Sequence, residues 1–207
     1  MNFIPLKVSL DEGCISDFIR RYHFEEKDKS DILRLYRQIG PRVHAEFHYV
    51  TIENENGLAD DTEECANDVS AVDAGKSVIV VVTLGQAFDE YQESLLAKGD
   101  IHRGYMLDCI GLELLWAAYD EIDSKIYERT GKYVGNYTFA GENKLPMTEV
   151  PRLMNQLGQK MITYNEAYAL IPKKSVLFTA PLLTEKIQKY ARCASCSNTK
   201  CAMRQSA

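Results

Sequence analysis

Several absences narrow what this chain can be. Its 207 residues contain no apolar run approaching the ~20 residues of a helical membrane span, and the most apolar stretch, Ser77–Leu84, is far shorter. Met1–Leu10 is too short and too mixed for a secretory signal, so the expected compartment is the cytoplasm. No basic stripe is present. Asp and Glu number 30 against 24 Lys and Arg, a formal net charge of −6, so neither nucleic acid nor a membrane is an expected partner. The sequence also lacks a phosphate-binding P-loop, a Gly-x-Gly-x-x-Gly turn and a Gly-x-Ser-x-Gly nucleophile elbow. Ser and His occur at no spacing that identifies a triad. Catalysis by nucleophilic or acid–base routes has no visible support, and the chain is not expected to be active alone. Internal repeats, low-complexity segments and linkers are missing as well. At ~100–200 residues per domain, the length fits one domain over residues 1–207, with a Cys-rich tail over 184–207.

What is present is an ordinary globular composition, 45% hydrophobic and 26% charged, with twelve Tyr and six Cys. Tyr supplies apolar area with a polar tip and suits partly buried walls. In a reducing compartment the six Cys are expected to be thiols or metal ligands rather than disulfides.

The hydrophobic pattern predicts a mixed α+β chain. Short strands are expected over Pro5–Leu10, Lys160–Tyr164, Tyr168–Ile171 and Ser175–Thr179, and an alternating one over Val43–Ile52. Ser77–Leu84 is β-branched nearly throughout, as a strand buried on both faces would be. Helices are expected over Glu25–Gln38, Asp61–Lys76, Gln86–Leu96 and Met147–Leu157, the last with Pro151 in its first turn. Arg103–Arg129 is the longest helical pattern. Leu107, Ile110, Gly111, Leu114, Leu115, Ala118, Ile122 and Ile126 line one broad face, which predicts the spine of the core. Gly111 weakens a helix interior by ~1 kcal/mol relative to Ala, so close packing against another element is expected there. Glu53–Asp60 reads as a polar turn and Gly131–Asn143 as an ordered loop. Antiparallel pairing is expected in the last third.

Cys193-Ala-Ser-Cys196 followed by Cys201 is the main candidate for metal chemistry. Cys-x-x-Cys lets two sulfurs reach one ion, and a third completes most of a tetrahedral zinc site or three corners of an iron–sulfur cluster. The fourth ligand would come from Cys14, Cys65, Cys109 or a His. The alternative is a tail of reactive thiols without metal. His44, Glu46 and His48 alternate along a strand, where the two His lie ~13 Å apart. One ion cannot bridge that distance, which leaves a solvated strand face. His23 and His102 are isolated, and Cys109 is expected to be a buried small hydrophobe.

Three stretches in order carry a family resemblance. Val80–Gly85 (VVVTLG) precedes a helix and then Gly104–Gly111 (GYMLDCIG); Asn165–Val176 (NEAYALIPKKSV) keeps Glu166, Pro172, Ser175 and Val176 of a Thr-Glu-Ser-x-x-Met-x-Pro-x-x-Ser-Val pattern; the Cys tail follows. Together, over roughly Val78 to Arg204, the chain resembles the activation domain of cobalamin-dependent methionine synthase, in particular its short stand-alone relatives. The resemblance implies a mainly antiparallel sheet packed against long helices. It implies an accessory of corrinoid-dependent methyl transfer that binds S-adenosylmethionine. The implied partner is a separate corrinoid-binding methionine synthase or methyltransferase carrying the cobalamin, with a flavodoxin-like electron donor. The family's ligand loop, Arg-Pro-x-Pro-Gly-Tyr, corresponds here to Lys132–Tyr137 (KYVGNY). Lys132 stands for the Arg that binds the ligand carboxylate and keeps its charge without the bidentate fork. Tyr137 keeps the ring, and Glu166 matches an acidic position facing the sulfonium. Both prolines and the glycine are replaced. The alternative on the same fold is a zinc- or iron–sulfur-binding interaction module, with Cys193, Cys196 and Cys201 as ligands, that has lost S-adenosylmethionine binding.

Overall fold

Val78–Val82 are five consecutive β-branched residues with no polar face to offer water, so a strand built on them must be covered on both sides. In the computed structural model, which describes residues 3–53 and 72–189, all five are wholly buried at the centre of strand β3 (Val72–Thr83). β3 pairs antiparallel with β2 (Glu46–Glu53) on one side and β8 (Ser175–Leu183) on the other. β1 (Ile4–Pro5) extends the sheet beyond β2, while β4 (Tyr133–Val134) and β5 (Thr138–Phe139) both add to the outer edge of β8.

Different elements cover the two faces. Val78, Val80 and Val82 join Phe47, Phe178, Ala180 and Leu182 in a core with α1 (Ile15–Arg21), α2 (Lys29–Ile39), α3 (Gln86–Leu96) and α4 (Ile101–Thr130). Ile79, Val81 and Leu177 point the other way, onto α5 (Val150–Leu157) and the hairpin of β6 (Thr163–Tyr164) and β7 (Leu170–Ile171). The alternation within β3 is the two-residue period of a strand expressed as two cores.

The long helix forms as its pattern predicts. The Asp100 side chain accepts from the Arg103 backbone N–H at 3.2 Å to start α4, and Gly131, at φ 67°, ends it. Thirty residues give α4 a length of about 45 Å. A Cβ on Gly111 would stand 2.7 Å from Cζ of Phe88 on α3 and 3.0 Å from Cε of Lys174. The glycine therefore lets α3 and the start of β8 press against α4. α2 buries Ile32, Leu35 and Ile39, one helical stripe. Ahead of it, Glu25 and Asp28 cap a 3-10 turn reciprocally.

The departures have local causes. The strand expected over Pro5–Leu10 is only Ile4–Pro5. Leu6 still donates to the Ala45 carbonyl at 2.8 Å, but the chain then leaves the sheet, and the Leu10 N–H donates to the Tyr36 hydroxyl at 2.9 Å. The helix expected over Asp61–Lys76 falls largely outside the described residues; its end, 72–76, is extended, because β3 stays paired with β8 as far as Val72 opposite Leu183. β8 likewise runs past the expected Thr179. The loop at 131–143 contains β4 and β5. The turn expected at 53–60 lies almost wholly outside the described residues, as do Cys65, Cys193, Cys196 and Cys201. No helix among the described residues is long and apolar enough to cross a membrane.

Candidate functional site

The aromatic corner where α4 meets the edge of β8 is built by strand register. β5 sets Phe139 opposite Phe178 on β8, and β4 sets Tyr133 opposite Leu183. Between them Gly135 donates to the Pro181 carbonyl at 2.8 Å. A Cβ there would lie 2.7 Å from Pro181 Cγ, so glycine is what allows the loop to lie flat against β8. The loop delivers Tyr137 onto Phe178, with ring centres 4.3 Å apart, and edge-on to Tyr119 and Phe139 at 5.6 and 5.8 Å.

The polar end of Tyr137 meets α4. Its hydroxyl donates to Asp123 Oδ1 at 2.5 Å and lies 3.2 Å from the Tyr119 carbonyl. The other Asp123 oxygen is 2.5 Å from Lys189 Nζ, and that ammonium stands 3.9 Å from the centre of the Tyr137 ring. The Lys189 and Asp123 side chains are 27% and 29% exposed. Burial pushes the Asp123 carboxyl above its ordinary range, against the opposing pull of Lys189 and of the Tyr137 hydroxyl. A π-face and a half-buried carboxylate thus share one cation.

Lys132 belongs to the same connection as Tyr137. It follows the end of α4, donates its backbone N–H to Thr130 Oγ1 at 3.1 Å, and adjoins Tyr133, whose ring stacks on Tyr127 at 4.5 Å. Glu166 lies elsewhere. It is exposed in the turn of the β6–β7 hairpin, whose last strand leads through Pro172 into Ser175. Lys132 precedes Tyr133, which pairs with Leu183. From Ser175 to Leu183 a strand advances about 26 Å. Lys132 thus lies by the Leu183 end of β8, Tyr137 stacks on Phe178 nearer the middle of the strand, and the Glu166 hairpin adjoins the Ser175 end. Asp123 and Lys189 are the site residues that the sequence did not reveal. Asp123 sits one helical turn after Tyr119 on α4, and neither Asp123 nor Lys189 carries a sequence motif.

Other concave surfaces lie apart from this corner. A cleft of about 450 Å³ opens between the start of β2 and the first turn of α3, lined by His44, Glu46, Glu90, Ile162 and Pro172 among others. A second, of about 350 Å³, lies among α1, α2 and α4, with Tyr36, Glu113 and Trp116 in its walls. Neither is lined by Lys132, Tyr137 or Glu166. Of the alternating set read as a solvated strand face, His44 is exposed and Glu46 partly buried, but His48 is buried, contrary to that reading. α5 lies over it, and His48 Nε2 is 3.2 Å from the Leu157 carbonyl.

Among the described residues no group of three His, Cys, Asp or Glu is placed to hold a metal ion. Cys109 is wholly buried in α4, and burial pushes its thiol up to about 12, with partial relief from the Tyr105 hydroxyl. Its burial matches the expectation of a small hydrophobe in the core. A thiol reagent at pH 8 should modify exposed Cys14 in the folded chain and Cys109 only on unfolding, as read by peptide mapping. Equal rates at the two positions would refute the burial argument.

No protein-family model matches the chain, and no curated protein sequence matches it. A solved structure does: the crystal structure of the MetH reactivation domain bound to AdoHcy, with a TM-score of 0.57 and 12% identity. The match covers 92% of this chain and 81% of that one. With an antiparallel sheet covered by helices, as the sequence resemblance implied, the chain has the α+β fold of the MetH reactivation domain.

Proposed function

We propose that this chain is an accessory of corrinoid-dependent methyl transfer. It binds S-adenosylmethionine and supports reductive reactivation of a separate cobalamin-dependent methionine synthase or related methyltransferase. The supporting observation is the Lys132–Tyr137 segment, held against β8 and α4 in a fold shared with a domain solved with AdoHcy. The fit to a methylated sulfonium is chemical: the Tyr137 ring and the Asp123 carboxylate already accommodate a cation 3.9 Å from the ring centre. In this reading Lys132 pairs with the ligand carboxylate as a point charge, and Tyr137 faces the sulfonium. S-adenosylmethionine supplies the methyl group; the protein's part is placement, which converts a bimolecular encounter into an oriented one. The cobalamin belongs to the partner, and the electron comes from a flavodoxin-like donor. Glu166, exposed on the β6–β7 hairpin, is the acidic residue that the resemblance assigns to the same ligand.

Calorimetry with S-adenosylmethionine is the direct test. Micromolar-range binding is expected, and ligand at a hundred times Kd should stabilise the fold by about 2.7 kcal/mol. Lys132→Ala should weaken binding without lowering the melting temperature. No heat and no thermal shift at millimolar ligand would remove the proposal.

A second reading rests on the spacing Cys193-x-x-Cys196-x-x-x-x-Cys201: a zinc- or iron–sulfur-binding interaction module on the same fold. It requires near-stoichiometric zinc or iron after anaerobic purification. Three titratable thiols in a metal-free tail would exclude it.

A further inference from the structure

We infer that the cleft among α1, α2 and α4 is a binding site for a small organic ammonium with a ring-sized apolar body, separate from the segment proposed above to hold S-adenosylmethionine. Its volume, about 350 Å³, suits a single ring with a short chain. Leu10, Phe18, Ile32, Tyr36 and Trp116 make its apolar wall. Phe18 and Ile32 are core residues, 7% and 1% exposed, so helix packing fixes the floor. The rim is pinned as well. The Leu10 N–H donates to the Tyr36 hydroxyl at 2.9 Å, which ties the segment around Leu10 to α2. On the α1 side the Arg21 guanidinium lies 5.2 Å from the centre of the Trp116 ring and pairs with Glu113. Glu113 also accepts from the Tyr22 hydroxyl at 2.9 Å.

Charge decides what this cleft takes. Asp11, Glu12, Asp17, Glu113 and Asp120 line it, against Arg21 as the basic residue among the described ones. The chain already neutralises three of these carboxylates: Glu12 by Arg37 at 3.0 and 2.6 Å, Asp17 by Arg20 at 2.7 Å, and Glu113 by Arg21. The other two are exposed and have no ion-pair partner among the described residues. Asp11 accepts from the Gly13 N–H at 2.8 Å, and Asp120 accepts only through its backbone carbonyl, from Ser124. Two uncompensated negative charges therefore stand beside an apolar wall. An ammonium on an apolar body suits both, whereas a carboxylate on the same body is repelled by each. Trp116 is the chain's single Trp, and the exposed Cys14 also lines the cleft, so both side chains report its occupancy.

The test is tryptophan fluorescence of the full chain titrated with phenethylammonium, phenethyl alcohol and hydrocinnamate, which share one ring and differ in charge. Phenethylammonium should give a saturable change at millimolar concentration or below, with hydrocinnamate about tenfold weaker and the alcohol between them. Asp120→Asn should cut the advantage of the ammonium over the alcohol by about threefold and leave the alcohol's affinity and the melting temperature unchanged. Phenethylammonium should also slow alkylation of Cys14 by iodoacetamide, a neutral reagent, and should not displace S-adenosylmethionine in calorimetry. No saturable change, equal affinities for the three probes, an unaltered preference in Asp120→Asn or an unprotected Cys14 would overturn the inference and leave the proposed function standing. Displacement of S-adenosylmethionine would overturn the separateness of the two sites. Failure of S-adenosylmethionine to bind at all would count against the proposed function alone.

Discussion

Phe178→Ala should destabilise the fold by about 3–5 kcal/mol, the largest effect expected of a single substitution here. Phe178 is wholly buried on β8, opposite Val80 on one side and Phe139 on the other. Its ring touches three others: Tyr137 at 4.3 Å, Phe139 at 5.7 Å and Tyr119 at 5.9 Å. Truncation removes the transfer energy of a full ring and leaves a cavity whose walls are two strands and a long helix. These are elements that cannot collapse independently. At roughly 2–4 °C per kcal/mol for a chain of this size, the melting temperature should fall by about 6–20 °C. The near-ultraviolet circular dichroism of tyrosine should weaken too, because Tyr137 loses the surface it lies on. An unchanged melting temperature would mean that the aromatic corner is not part of the cooperative core.

Two glycines of α4 should respond to the same substitution with opposite signs. Gly→Ala inside a helix gains up to ~1 kcal/mol of propensity, so the new methyl's neighbours decide the outcome. At Gly111 the methyl would meet Cζ of Phe88 at 2.7 Å. Phe88 is wholly buried, and nearby Lys174 is held by Asp108 at 2.8 Å, so neither can yield. Overpacking costs about 1–3 kcal/mol, which exceeds the gain, and Gly111→Val should be worse. At Gly104 the methyl would meet Cδ2 of Leu96 at 2.6 Å, which is the tip of a side chain 46% exposed and able to turn away. Gly104→Ala should therefore be neutral or stabilising by up to about 1 kcal/mol. Chemical denaturation of the two variants checks the pair. Equal effects would show that α3 does not press on α4 as described.

The same contrast separates what could be read in advance from what could not. Val78–Val82 admitted one arrangement, a strand covered on both faces, because a run with no polar side has nowhere else to go. α4 was legible from its stripe of apolar residues, and Gly111 marked a close contact because its propensity penalty needs compensation. Short strands were harder. β4 and β5 are two residues each, too brief for a period to register, and they exist because β8 presents an edge. The strand that replaces a predicted helix at 72–76 is likewise a consequence of its partner, since extended pairing outweighs local propensity.

The candidate site divides along the same line. Lys132 and Tyr137 were singled out through a loop pattern in the sequence and lie on the segment that follows α4, and Glu166 was singled out through a second pattern and lies on the β6–β7 hairpin. How the two segments sit relative to each other depends on which end of β8 each adjoins, and adjacency in a pattern carries no information about that. Asp123 and Lys189 had no motif at all.

By itself the amino-acid order determined the buried strand, the long helix and the acidic charge balance, because each follows from neighbours in the chain or from composition. Only the tertiary structure decided that Tyr137, Asp123 and Lys189 meet around one positive charge. Those three residues are separated by up to 66 positions, and strand register, not local pattern, carries them together.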